Sequence, residues 1–176
     1  MEKDNEPDCQ YQRHSFSKRL IKMRTLFLDV DGVLNSEEFF KRRFKEDDDD
    51  CRQDIDDVLL KRICATIKEA GCRVVISSAW RTGEPHKSTI TNALKEFGVD
   101  VFGYTQYNLG IVPRGEEIRI WNEEHFKNEN YVILDDNSDF LEDQMDRFVQ
   151  TDHKIGLTES DCQKILEIFK KRDNDG

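Results

Sequence analysis

The stretch Leu26-Phe27-Leu28-Asp29-Val30-Asp31-Gly32-Val33-Leu34-Asn35 decides how this chain is read. It begins as an apolar, strand-like run and places two carboxylates one residue apart at its end. Side chains at i and i+2 of an extended strand share a face, so Asp29 and Asp31 can both point toward one site where the strand stops. Gly32 permits the turn that follows. Two carboxylates this close repel unless a cation sits between them, and hard oxygen donors of this kind suit Mg²⁺. They also allow a division of labour, in which one attacks as nucleophile while its neighbour carries a proton. The alternative role for both is a simple cap on a loop or helix start.

Outward from this strand the hydrophobic pattern switches between helical and extended periods. Ile55, Val58, Leu59, Ile63 and Ile67 lie at helical spacing over residues 55–70, and Gly71 stops that helix. Residues 73–77 form a β-branched run and read as a buried strand. Residues 89–97 are helical, 99–104 read as a third strand, and 116–126 put Ile118, Trp121 and His125 roughly on one helical face. Residues 131–134 make a fourth strand and 147–151 a weak fifth. A closing helix at 158–171 starts with Thr158-x-x-Asp161, a capping-box variant. Strands alternating with helices predict an α/β fold, with a parallel sheet wrapped on both faces and ligand bound beyond the strand carboxyl ends.

The chain has 176 residues, enough for one domain, expected at 24–172 behind a flexible N-terminal tail at 1–23. Residues 36–54 form a small insertion, with Phe39, Phe40 and Phe44 on a helical piece and four consecutive aspartates (47–50) in a solvated acidic loop. The formal charge of −10 disfavours broad binding to nucleic acid or an anionic membrane. A local basic mouth would have to come from Arg42, Arg43, Arg81, His86, Lys87 and Arg114. The five cysteines are odd in number and lack CxxC spacing, which argues against a disulfide framework or zinc site. Cys64 and Cys72 read as core packing. No apolar run approaches the roughly 20 residues of a membrane span, and the first residues lack the apolar core of a secretory signal. A soluble, cytoplasmic protein is expected.

The strand ends hold the remaining chemistry. After the second strand come Ser77, Ser78, Ala79, Trp80 and Arg81, where a hydroxyl and unpaired backbone N–H groups can bind phosphate oxygens or simply form a hydroxyl-stabilised turn. Pro113-Arg114-Gly115 opens a helix, and Arg114 there can offer a cation to a transferring phosphoryl group or be a solvated surface charge. The fourth strand runs into Asp135-Asp136-Asn137-Ser138-Asp139. Carboxylates there can complete a Mg²⁺ site with the first pair, while Asp139 reads as the N-cap of a short helix through Met145.

Acid pair, hydroxyl, cation, acid pair is the motif order of the haloacid dehalogenase (HAD) superfamily of aspartate-nucleophile phosphatases, which the chain resembles over about residues 24–170. Asp29-Val30-Asp31-Gly32-Val33 is similar to its first motif. Ser78 corresponds best to the second motif, with Ser77 as rival; Arg114 stands at the basic third position, and Asp135-Asp136 resembles the fourth motif. Ser78-x-Trp80, Arg114-Gly115-Glu116-Glu117-Ile118 and Lys154-Ile155-Gly156-Leu157-Thr158 look closest to the small HAD domains associated with RNA-repair proteins. The resemblance implies a three-layer Rossmannoid fold with a central, mainly parallel sheet and minimal cap. It also implies Mg²⁺-dependent phosphomonoester hydrolysis through an aspartyl-phosphate. In that scheme Asp29 attacks, Asp31 carries the proton, and Ser78 and Arg114 stabilise phosphoryl oxygens. The metal is then held by the Asp29 carboxylate, the Asp31 backbone carbonyl, and Asp135 or Asp136.

Arg replaces the commoner Lys at the third position, and only residues 36–54 and 81–113 are available to cover the site, too few for a full cap domain. An open site suits a bulky phosphorylated substrate such as a nucleic-acid end or phosphoprotein, although net charge opposes the former. The competing readings are a small-metabolite or nucleotide phosphatase, and a receiver-like module that takes phosphate as a signal. Against the receiver, the third strand ends without an aspartate.

Overall fold

The computed structural model describes residues 23–44, 54–106, 112–125 and 130–174. Within them five short runs pair as one sheet: β1 (Thr25–Leu28), β2 (Arg73–Ile76), β3 (Val101–Tyr104), β4 (Tyr131–Asp135) and β5 (Phe148–Gln150). All pairings are parallel, in the order β3-β2-β1-β4-β5. Around the sheet lie α1 (Glu37–Arg43), α2 (Asp57–Ala70), α3 (His86–Glu96), α4 (Arg114–His125) and α5 (Glu159–Asn174).

Period-two alternation sorts the core into layers. Leu26 registers with Val74 and Val132, and Leu28 with Ile76 and Leu134. All six point to one face, where they pack with Ile63 and Ile67 of α2, Leu94 of α3, and Ile165 and Phe169 of α5. The residues between them, Phe27, Val75 and Ile133, point the other way and meet Ile118 and Trp121 of α4. Phe27 sits edge-on to both Trp121 and Tyr131, with centroids 5.5 and 5.4 Å apart. Because both faces are covered, β1 is buried along its whole length, which is why it reads as an unbroken apolar run. The result is the three-layer α/β fold with a wholly parallel sheet.

Several boundaries move relative to the sequence pattern. Helix α3 starts at His86, three residues early, because its first turn is polar and carries no hydrophobic period: the Ser88 and Thr89 hydroxyls donate back to the Pro85 carbonyl. Val58 is exposed on α2, where the buried stripe runs instead through Leu59, Leu60, Ile63, Cys64 and Ile67. Of the insertion, α1 is described, whereas the aspartate run at 47–50 and the tail at 1–22 lie outside the described residues. Cys64 is buried and Cys72 half-buried; burial pushes their thiols up to about 11 and about 12, so both behave as packing groups. Among the described residues no helix is long and apolar enough to cross a membrane.

Helix α5 begins with a reciprocal cap. The Asp161 N–H donates to Thr158 Oγ1 (3.2 Å) and the Thr158 N–H donates to Asp161 Oδ2 (3.1 Å). Burial raises the Asp161 pKa, but the bonds from Thr158 and Lys164 outweigh it and hold the group below its usual range. Thr158→Ala is expected to cost about 1 kcal/mol, read as a lower urea midpoint at constant m-value, with Thr158→Ser retaining most of the stability.

Candidate active site

The chain leaves β1 for β2 on one side and later places β4 on the other, so a crevice opens at the carboxyl ends of β1 and β4. Asp29 is the first residue past β1 and Asp135 the last of β4, and the Asp29 N–H continues the ladder onto the Leu134 carbonyl at 3.0 Å. Both carboxylates are buried, 3% and 0% exposed. Arg114, the first residue of α4, reaches both: Nη1 lies 2.8 Å from Asp29 Oδ1 and 2.7 Å from Asp135 Oδ2.

Burial pushes the Asp29 carboxyl up, against the pull of Arg114, the Ser78 hydroxyl and the Val30 N–H. Burial and the neighbouring Asp29 charge push the Asp135 carboxyl up as well, again opposed by Arg114. Burial works against the Arg114 charge, but Asp29 and Asp135 outweigh it and raise its pKa. Half-buried Asp136 completes an acidic group, in which one oxygen each from Asp29, Asp135 and Asp136 lie within 4.8 Å of one another. Three hard, clustered oxygen donors fit Mg²⁺. Gly32 lets the loops meet here. Its φ is +70°, and a Cβ would run into the Asp136 carboxylate, so both the backbone conformation and the close approach require glycine.

Asp31 does not join that group. The extended run ends at Leu28, and the N–H groups of Val33 and Leu34 turn back onto the Val30 carbonyl, so the i, i+2 alternation expected of a strand is lost. Asp31 is exposed. Its carboxylate accepts from Trp80 Nε1, 3.0 Å from each oxygen, and from Asn35 Nδ2 at 3.0 Å. Trp80, quoted in the sequence only within the run 77–81 and Ser78-x-Trp80, and Asn35 are site neighbours to which the sequence assigned no role. The available signal was a tryptophan beside the second-motif serine, since a buried indole N–H usually finds an acceptor.

Ser77 and Ser78 are both fully buried. The Ser78 hydroxyl bonds the Asp29 carboxyl and accepts from the Trp80 N–H at 3.3 Å, so it faces the acids and forms the turn as well. The Ser77 hydroxyl has no partner among the described residues.

Two expected roles change. Asp139 does not cap a helix running to Met145; the short 3-10 turn there spans Glu142–Arg147 and is led by Leu141. Asp139 caps α4 instead, its carboxylate accepting from the Arg114 N–H at 3.2 Å and its carbonyl from Gly115 at 3.2 Å. Nor is Arg81 part of a basic mouth. It is 8% exposed, and its guanidinium bonds the carbonyls of Ser77, Ser78 and Thr105 and the carboxylate of buried Glu117. Arg42 and Arg43 pair with Asp56 and Asp54, and Lys87 lies over the Tyr104 ring, 4.3 Å from its centroid. Of the six residues expected to form a basic mouth, acids and a ring engage these four, whereas Arg114 lies at the crevice and His86 beside Trp80.

Arg81 and Glu117 thus tie the Ser78 loop to α4. Glu117→Ala, which strands a buried guanidinium, is expected to destabilise the fold by about 3 kcal/mol in urea unfolding. The double variant Arg81→Met, Glu117→Leu should recover little of this, because the Ser77 and Thr105 carbonyls would lose their guanidinium donor, while the Ser78 carbonyl keeps the residue-81 backbone N–H.

Residues 25–162 match the family described as the HAD domain in Swiss Army Knife RNA repair proteins. No curated protein and no solved structure matches the chain. The family match spans all five strands and the crevice at their carboxyl ends. This protein therefore belongs to the HAD superfamily, in the family of HAD domains of Swiss Army Knife RNA repair proteins, a membership that supports a phosphatase-like function.

Proposed function

We propose that this protein is a Mg²⁺-dependent phosphomonoesterase working through an aspartyl-phosphate on Asp29. The observation that carries the proposal is the buried Asp29 carboxylate, held between Arg114 and Ser78 at the crevice and followed two residues later by an exposed carboxylate on a different set of donors. In the first step an Asp29 oxygen attacks phosphorus, the ester P–O bond breaks, and the departing oxygen takes a proton from Asp31. In the second, Asp31 accepts a proton from water as that water attacks phosphorus. The P–O bond to Asp29 then breaks, releasing inorganic phosphate and restoring the carboxylate.

Arg114 and Ser78 neutralise and orient the phosphoryl oxygens, a task in which positioning and charge supply most of the acceleration. Asp29, Asp135 and Asp136, with the Asp31 backbone carbonyl, are the groups that would hold Mg²⁺. When bound, Mg²⁺ offsets the negative charge that carboxylate and phosphoryl group bring together. The family description points toward a phosphorylated RNA end as substrate. With a net charge of −10, such a substrate docks through its terminus, leaving its polyanionic length away from the acidic surface.

Hydrolysis of p-nitrophenyl phosphate with Mg²⁺ tests the reading. Asp29→Asn is expected to lower kcat by at least a factor on the order of 10³, and chelation should abolish turnover that added Mg²⁺ restores. Undiminished turnover by Asp29→Asn would refute the nucleophile. Asp31→Asn should slow alkyl phosphates by about 10²-fold or more, yet slow p-nitrophenyl phosphate far less, because p-nitrophenolate leaves without a proton.

A further inference from the structure

A cavity of about 340 Å³ opens beside the exposed carboxylate of Asp31, which forms part of its wall. Phe40, Trp80 and His86 contribute rings to it, and Asn35 and Asp54 contribute polar groups. The Trp80 indole N–H is spent on Asp31, and its buried ring holds the exposed His86 ring edge-on at 5.0 Å between centroids. The accessible ring surface is therefore that of His86 and half-buried Phe40. Phe40 is well placed because α1 is anchored: the Glu37 and Glu38 N–H groups donate to the carbonyls of His153 and Lys154 at 3.1 and 3.0 Å. Phe40 and His86 are not needed to hold or attack a phosphoryl group.

We infer that this recess is a leaving-group subsite that takes a nucleoside and favours a base carrying an exocyclic amino group. The inference rests on the phosphatase reading, in which Asp31 protonates the departing oxygen, so the departing group must lie beside Asp31. The accessible rings of His86 and Phe40 offer a flat π-system surfaces to stack on, with Trp80 behind His86. The volume lies at the small end of ligand pockets and suits one nucleoside. Asp31 and Asp54 repel a second phosphate from the interior, so the recess takes the uncharged part of the substrate. Its carboxylates accept hydrogen bonds, which rewards the exocyclic amino group of adenine, cytosine or guanine over uracil, whose single N3–H lies between two carbonyl oxygens that a carboxylate repels. The same acceptors give a phosphotyrosine ring, whose edge has no polar donor, no such reward.

The test compares kcat/KM for terminally phosphorylated oligonucleotides ending in adenosine, cytidine, uridine or an abasic residue, with the matching nucleoside monophosphates and a phosphotyrosine peptide. The expected order places amino-bearing ends first and the abasic end about tenfold or more behind, with Phe40→Ala and His86→Ala each pulling that ratio toward one. Higher turnover of oligonucleotides or of mononucleotides identifies which source of nucleoside the recess serves, and either upholds the inference. Equal turnover of the abasic end, preference for uridine or for phosphotyrosine, or variants that slow every substrate alike would overturn it. Asp29→Asn is run alongside on every substrate. If it stays active the phosphatase reading itself fails, whereas a dead Asp29→Asn with an indifferent wild type removes only the nucleoside subsite.

Discussion

Two carboxylates, Asp29 and Asp135, are buried side by side, and much of the surrounding structure compensates for that cost. A buried anion loses its hydration, and a second one adjacent adds repulsion at low dielectric. Arg114 is the direct counterweight, within 2.8 Å of Asp29 and 2.7 Å of Asp135. It can do this only if α4 begins at one particular point, and that point is set from outside the helix. Asp139 caps the first turn, and Gly115 lets it press against the loop after β4, where a Cβ would strike Gln144 and the backbone of Phe140 and Leu141. Gln144 Nε2 then donates to the Gly115 carbonyl at 2.9 Å. The cation is thus positioned by the loop that follows the very strand whose acid it neutralises.

The same logic explains a second buried pair. Arg81 and Glu117 lie away from the acids, but they connect the Ser78 loop to α4 one turn beyond Arg114. Buried pairs of this kind are weak sources of net stability, because desolvation offsets attraction. Their effect here is geometric. The guanidinium collects carbonyls from a strand-to-loop junction that no ladder could satisfy, and so fixes where the Ser78 hydroxyl sits relative to Asp29.

The sheet was legible in the sequence because its signal is local. Short apolar runs such as Val74-Val75-Ile76, which lies between helices stopped by Gly71 and Gly98, and Val132-Ile133-Leu134 read as buried strands, and the strand-end hydroxyls and acids fall beside them. The gathering of Asp29, Ser78, Arg114 and Asp135 followed from placing each at a carboxyl-terminal strand end or helix start. What stayed hidden depends on distance in sequence. Arg81 and Glu117 are 36 residues apart, and nothing in either neighbourhood announces the other. Asp139 sits 25 residues from the helix it caps, so a local rule assigned it to the helix next door. The Asp31 bond to Trp80 spans 49 residues, and the strand rule that grouped Asp31 with Asp29 failed because the strand stops one residue before Asp29.

That last failure bears on chemistry. Had the strand continued, Asp29 and Asp31 would share one face and one environment, and two such carboxylates would compete for the same cations. The turn at Val30 separates them. Asp29 turns inward to Arg114, Ser78 and the β4 acids, while Asp31 stays in solvent contact, oriented by two neutral donors, the Trp80 indole and the Asn35 amide. Different surroundings are what allow chemically identical side chains to take different parts in one reaction. On the mechanism proposed here, the attacking group has to stay among cations, and the proton carrier has to face both water and the departing oxygen. Ending β1 at Leu28, before the acid pair instead of beyond it, gives each carboxylate the environment its part requires.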